Sequence, residues 1–213
     1  MLAQRLTSYS QRNDVIVLAL PRGGVPVAFA IAQALDVPLD ILLVRKLGVP
    51  GHEEYAMGAI ASGGWKVLHQ DVVDTLGISK AAIDDVTRNE SAELIRREQL
   101  YRGSRPAPRL QGRTVILVDD GLATGASMQV ALQAVKAENP AHVIVAVPVS
   151  PPETLQSLRT QADEIVCLLS PEAFRAVGLW YEHFDQTSDE EVIDLLAQVE
   201  RSRAGRSAGT SDQ

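Results

Sequence analysis

One cysteine in 213 residues, Cys167, leaves no partner for an intrachain disulfide, so the chain suits a reducing compartment such as the cytoplasm. It sits in the apolar run EIVCLL and reads as a small buried hydrophobe rather than a nucleophile. No apolar run approaches the roughly 20 residues that cross a bilayer. The opening MLAQRLTSYSQRND also lacks the apolar core of a secretion signal. Positive charge is in deficit: net charge is −7 and the pI is near 5.1. That balance argues against a nucleic-acid or membrane-surface partner. Two nucleotide-binding signatures are missing, since there is no G-x-x-x-x-G-K-[ST] and no strand is followed by G-x-G-x-x-G. Four scattered histidines and one cysteine make no zinc set. Aromatic residues are scarce, yet four of the nine (Phe174, Trp180, Tyr181 and Phe184) fall within eleven positions.

What is present is a well-filled core composition, 46% hydrophobic and 22% charged. Short runs rich in β-branched residues at 15–20 (VIVLAL), 39–44 (LDILLV) and 115–118 (VILV) read as strands buried on both faces. Runs 142–147 and 164–168 read the same way. Helical stretches at 25–35 and 127–137 alternate with them, which predicts an α/β fold: an open, mostly parallel twisted sheet with helices on both faces. The expectation is one domain over residues 1–200. It carries a helical insertion at about 71–105, built on a long helix over 79–101, and a small C-terminal hood at about 169–187 holding the aromatic cluster. Ser188, with Glu191 three residues on, marks the start of a final helix. Residues 201–213, small and polar, are expected to be a disordered tail.

Ligands of open α/β sheets bind beyond the carboxyl ends of strands. After VILV comes Asp119-Asp120-Gly121-Leu122 and then Ala123-Thr124-Gly125-Ala126-Ser127, a small-residue turn into a helix. Converging amides, hydroxyls and a helix dipole make such a turn a cradle for phosphate. The two carboxylates beside it would repel a bare anion, so the ligand should also carry groups that carboxylates hold: vicinal hydroxyls, or a hydrated Mg²⁺. A ribose 5-phosphate meets both conditions. A second anion loop, Pro21-Arg22-Gly23-Gly24, follows VIVLAL, with glycines for positive φ and close approach and Arg22 as a guanidinium fork.

The motif VILV-DD-GLA-TGAS resembles the phosphoribosyl-diphosphate motif of type I phosphoribosyltransferases, PRGG resembles their pyrophosphate loop, and Val44-Arg45-Lys46 resembles the start of their mobile catalytic loop. These matches span roughly residues 15–150. The combination ALPRGGVPVA, VRKLGVPGHEEYAMGAI and LWYEHFDQTSDEEV is similar to a bacterial subgroup of unassigned acceptor. The resemblance implies Mg²⁺-dependent transfer from 5-phosphoribosyl 1-diphosphate to a small-molecule base or amine, and it allows a homodimer. Arg22, Lys46, Asp119 and Asp120 would be catalytic, with Asp119 and Asp120 meeting the metal only through water or ribose hydroxyls. Residues Ala123, Thr124, Gly125, Ala126 and Ser127 would hold the 5-phosphate; Arg22, Gly23, Gly24, Arg45 and Lys46 the diphosphate; Glu53, Glu54 and Trp180 the acceptor. Ala123 stands where the hypoxanthine-guanine branch has an acid, whereas the adenine and orotate branches carry Ala there. The segment GVPGH (48–52) reads as a lid hinge, the 79–101 helix as a second cover, and Arg102 and Arg105 as further contacts for diphosphate. Two other classes fit the same loops: a non-catalytic regulatory module that binds the ribose diphosphate, and a phosphosugar hydrolase.

Overall fold

The computed structural model describes residues 1–209. Its main sheet contains β1 (Val15–Ala19), β2 (Leu39–Ile41), β6 (Thr114–Val118), β7 (His142–Val149) and β8 (Glu164–Leu169), in the order β2-β1-β6-β7-β8 with every pairing parallel. All five residues of β1 and of β6 are buried, so alternate side chains feed a core on each face. Val15, Val17, Ile116, Val118 and Ile144 point to one face. That core also takes in Leu2 of the short α1 (Leu2–Arg5), Ile31 and Leu35 of α2 (Gly24–Leu35), and Val192 and Leu196 of α7 (Asp189–Gly209). Ile16, Leu18, Leu117 and Val145 point to the other, against Met128 and Leu132 of α5 (Ala126–Ala137) and Leu158 of α6 (Pro152–Leu158). The expected open sheet, covered on both faces, is the observed one.

Strand order fixes where a ligand can enter. From β1 the chain moves to β2 on one side, then returns to β6 on the other side of β1. The order therefore reverses between β1 and β6, and the crevice of an open α/β sheet lies at that switch. With Ala19 paired to Val118, the loops leaving both strands begin level with each other.

The 39–44 run is not one strand. After Leu42 donates to Ala19 O, the chain leaves the parallel sheet; Leu43 N–H bonds the Ser62 hydroxyl and Ser62 N–H bonds Leu43 O. Val44 thus starts β3 (Val44–Val49), which pairs antiparallel with β4 (His52–Ala61), itself paired with β5 (Trp65–Leu68). The segment read as a lid hinge is the turn of this hairpin: Val49 faces His52, and Gly51 has the φ of 78° that the third position of a type II turn requires. Two helices follow, α3 (Gln70–Thr75) and the 23-residue α4 (Lys80–Arg102), whose Ala82 N–H is capped by Ser79 Oγ at 3.2 Å. After β8 the chain makes only a short 3-10 turn at Val177–Trp180 before α7, where Glu191 N–H meets Ser188 Oγ at 3.1 Å.

Helix α7 spans Asp189–Gly209 and so takes in residues 201–209 of the segment expected to be a disordered tail. Within it Val199 is buried, and the Arg203 guanidinium donates to Asp36 O at 2.6 Å beyond the end of α2. Residues 210–213 lie outside the described residues. Among the described residues no helix is long and apolar enough to cross a membrane.

Candidate active site

At the switch point β6 delivers Asp119 and Asp120. Their loop is pinned to the neighbouring strand, since Leu20 N–H donates to Val118 O at 2.8 Å, and it is folded on itself through Asp120 N–H to Asp119 Oδ1 at 2.9 Å. Burial, and then the charge of Asp120, hold the Asp119 carboxyl well above the usual carboxylate range; burial raises Asp120 too. Among the described residues, no group of three or more His, Cys, Asp or Glu side chains forms a metal cage. Two adjacent carboxylates with no third ligand suit Mg²⁺ that keeps its water and borrows oxygens from a ligand.

The glycines of PRGG answer to this pair. A Cβ on Gly23 would lie 1.9 Å from Asp120 Oδ2, and one on Gly24 would lie 2.8 Å from Val118 O and 2.9 Å from Asp119 Cα. Neither glycine has positive φ, so the reason for glycine here is close approach alone. Gly24 N–H is engaged by Leu20 O at 3.1 Å, which leaves Gly24 a steric part in the loop. Arg22 reaches the start of α7, its Nη1 3.5 Å from Asp189 Oδ1. The same carboxylate oxygen accepts a short hydrogen bond from the Tyr101 hydroxyl at the end of α4.

Beyond the acids, Gly125 takes φ 73° before α5, and a Cβ there would press to 2.7 Å from Thr154 Cγ2. Thr154 also holds the turn, donating from Oγ1 to Ala123 O at 2.6 Å. Ala123, Thr124, Ala126 and Ser127 are exposed; the Ala126 N–H donates to Thr124 Oγ1 at 3.4 Å, and first-turn amides of a helix face outward at its N-terminus. The sequence offered no signal for Thr154, because it belongs to a helix that only the fold brings near.

The hood closes the far side. Tyr181 donates a short hydrogen bond from its hydroxyl to Asp120 O, and its ring lies 5.1 Å from that of Phe184. Val177 packs where any side chain on Gly121 would stand, 2.7 Å away. A cavity of about 410 Å³ results, lined by Arg22, Gly23, Asp120, Phe184, Asp185, Gln186 and Thr187. Trp180 is not among its walls; the aromatic side chain it contains is Phe184.

Four other residues singled out from the sequence lie elsewhere. Arg45, Lys46, Glu53 and Glu54 line a larger cleft of about 680 Å³ between the β3–β4 hairpin, α4 and α5, which shares Ala126 and Ser127 with the turn before α5 but no residue with the Arg22 cavity. Arg45 is paired with Glu90 of α4, and Lys46 Nζ lies 3.6 Å from Glu54 Oε2. Arg102 and Arg105, expected near diphosphate, are tied into the fold instead. Arg102 is buried against β2, bonding Asp40 at 3.1 Å and Ile41 O at 3.0 Å, and Arg105 pairs with Glu200 at 3.1 Å.

Comparison with known proteins places the whole of this region within one family. Residues 1–180 match the model of the phosphoribosyl transferase domain. The chain belongs to the phosphoribosyltransferase family. It is 47% identical over 203 residues to a Mycobacterium tuberculosis protein (H37Rv strain) whose name, phosphoribosyl transferase Rv0571c, is itself provisional. That alignment covers 95% of this chain and 46% of the relative, so the chain spans less than half the length of the curated relatives it matches. Among solved structures, TT1426 from Thermus thermophilus superposes with a TM-score of 0.80 at 41% identity, covering 92% of this chain and 93% of that one. In phosphoribosyltransferase terms, the 1–180 match takes in both loops and the acidic pair, and it ends inside the hood.

Proposed function

We propose that this chain transfers the phosphoribosyl group of 5-phosphoribosyl 1-diphosphate to a nitrogen of a base or amine, with Mg²⁺, in the cytoplasm. The observation that carries the reading is the meeting of Asp119 and Asp120 with the PRGG loop, close enough that Gly23 must lack a side chain. The 5-phosphate sits on the Ala123–Ser127 turn, the ribose hydroxyls bond Asp119 and Asp120, and the diphosphate lies along Arg22 and Gly23.

In the reaction the C1–oxygen bond to diphosphate breaks and a C1–nitrogen bond forms, with the acceptor proton passing to solvent or to the departing oxygens. No protein nucleophile is needed. Bound Mg²⁺ would supply positive charge against the leaving diphosphate. Arg22 adds its guanidinium to the same task, Asp119 and Asp120 orient the ribose, and the hood, held by Tyr181, limits water as a competing acceptor. Calorimetric titration with 5-phosphoribosyl 1-diphosphate, with and without Mg²⁺, tests this: micromolar binding strengthened by Mg²⁺ is expected. Silence toward both this ligand and ribose 5-phosphate would end the reading. Diphosphate release that incorporates labelled water, with no acceptor present, would redirect it to hydrolysis.

A further inference from the structure

Three segments far apart in sequence meet at one carboxylate oxygen. Asp189 Oδ1, in the first turn of α7, accepts from the Tyr101 hydroxyl at the end of α4 and lies 3.5 Å from Arg22 Nη1 in the PRGG loop. The two contacts are unequal. The Tyr101 bond comes from a buried residue, so it fixes the carboxylate in place. The Arg22 contact is a long ion pair between side chains that are each about one-third exposed (33% and 38%), the kind that holds weakly. Asp189 is therefore anchored from one side, while Arg22 merely rests on it. Arg22 also lines the 410 Å³ cavity with Gly23 and Asp120, so a small turn of its side chain would carry it from Asp189 to an anion held there.

We propose that Asp189 is a positioning residue, the resting counter-ion of Arg22, which the ligand's diphosphate displaces on binding. The inference rests on the proposed diphosphate site. Its content is a competition: Asp189 keeps Arg22 at the cavity wall in the free protein and weakens product diphosphate, which favours release. The Tyr101 bond, followed by the Arg22 charge, keeps the Asp189 carboxyl below the usual carboxylate range, so it stays ionised as a counter-ion at neutral pH.

The probe is inorganic diphosphate in excess Mg²⁺, titrated calorimetrically into the parent chain, Asp189→Asn and Tyr101→Phe, with ribose 5-phosphate as the control ligand. Asp189→Asn keeps the shape and removes the charge. Diphosphate should bind it roughly three- to fivefold more tightly, the span that loss of a weak exposed ion pair allows. Ribose 5-phosphate should be unaffected. Tyr101→Phe frees the carboxylate but keeps its charge, and should shift diphosphate affinity by less than Asp189→Asn does. A merely structural Asp189 would weaken both ligands together. Diphosphate binding to the parent with unchanged or weaker binding to Asp189→Asn would overturn this inference alone. Failure of the parent to bind diphosphate at all would overturn this inference and the placement of diphosphate along Arg22, while the donor reading is decided by the titration with 5-phosphoribosyl 1-diphosphate.

Discussion

Gly23 and Asp120 occupy the same space: a Cβ on the glycine would lie 1.9 Å from Oδ2 and 2.7 Å from Cγ of the aspartate. Two loops from neighbouring parallel strands are thus fitted to each other by the absence of one carbon. Gly23→Ala should force the carboxylate aside, an overpacking that costs about 1–3 kcal/mol. Adding Asp120→Ala removes the atoms struck, so the double variant should regain most of the lost stability, while affinity for 5-phosphoribosyl 1-diphosphate stays lost. Denaturant unfolding of the two single variants and the double reads this as a cycle; additive effects would show that the two residues do not touch.

Asp119→Asn should separate stability from function. A buried carboxyl whose pKa is raised above its unfolded value of 3.8 costs stability once ionised. Ligand-free stability from this group is therefore greatest below that unfolded value and falls as pH rises through the raised folded one. The amide cannot ionise, yet its Oδ1 can still accept from Asp120 N–H. At neutral pH the variant's thermal midpoint should rise by roughly 2–5 °C, its stability should lose that downward slope with pH, and binding of the Mg²⁺–ribose diphosphate should vanish. A midpoint at or below the parent's would contradict the account of Asp119.

How much of this was open to reading in the sequence depends on range. β1, β6 and β7 are apolar on both faces, and DD-GLA-TGAS and PRGG are contiguous, so both the sheet and its loops were visible locally. The three-stranded sheet was not. β4 opens with four exposed residues, His52 to Tyr55, and a register shift at Gly48 breaks the alternation that would mark β3. Arg45 and Lys46 therefore looked like the rim of a loop, although they are strand residues paired with Glu90 and Glu54. Arg203 was hidden for a related reason: a polar, small-residue tail reads as disorder until the carbonyl of Asp36, 167 positions away, is known to face it. The reason for glycine at 23 was likewise only half visible, since a sequence proposes positive φ and cannot display a neighbour's carboxylate.

Thr154 offers a test of the proposed phosphate turn from outside it. Thr154→Val preserves the methyl that meets Gly125 and deletes the bond from Oγ1 to Ala123 O. Such a bond contributes about 1 kcal/mol, so the fold should survive while the turn loosens. The dissociation constant for ribose 5-phosphate should rise about fivefold, whereas that for inorganic diphosphate, which needs only the PRGG side, should hold. Equal effects on both ligands would mean that the variant perturbs α6 generally; no effect on either would mean that Gly125 and the helix start hold the turn unaided.

The aromatic hood makes the last distinction. Trp180, the larger ring, is 40% exposed but lies outside the cavity at Arg22 and Asp120, while Phe184 forms one of its walls and packs at 46° against Tyr181. Tyr181 in turn bonds Asp120 O, so a ring resting on Phe184 would be held at a fixed place relative to the acidic pair. Phe184→Ala should raise KM for whichever base or amine supports diphosphate release by about tenfold, the loss of one stacked ring being worth about 0.5–1.5 kcal/mol beyond its buried area. Trp180→Ala should change it less than about twofold, since its ring is no part of the cavity wall. KM for the ribose diphosphate should remain near the parent's in Trp180→Ala and change less than the acceptor's in Phe184→Ala, because Phe184 shares the cavity with Arg22 and Asp120 but carries none of the proposed donor contacts. The reverse ranking would place the acceptor on the outer face of the hood, at Trp180.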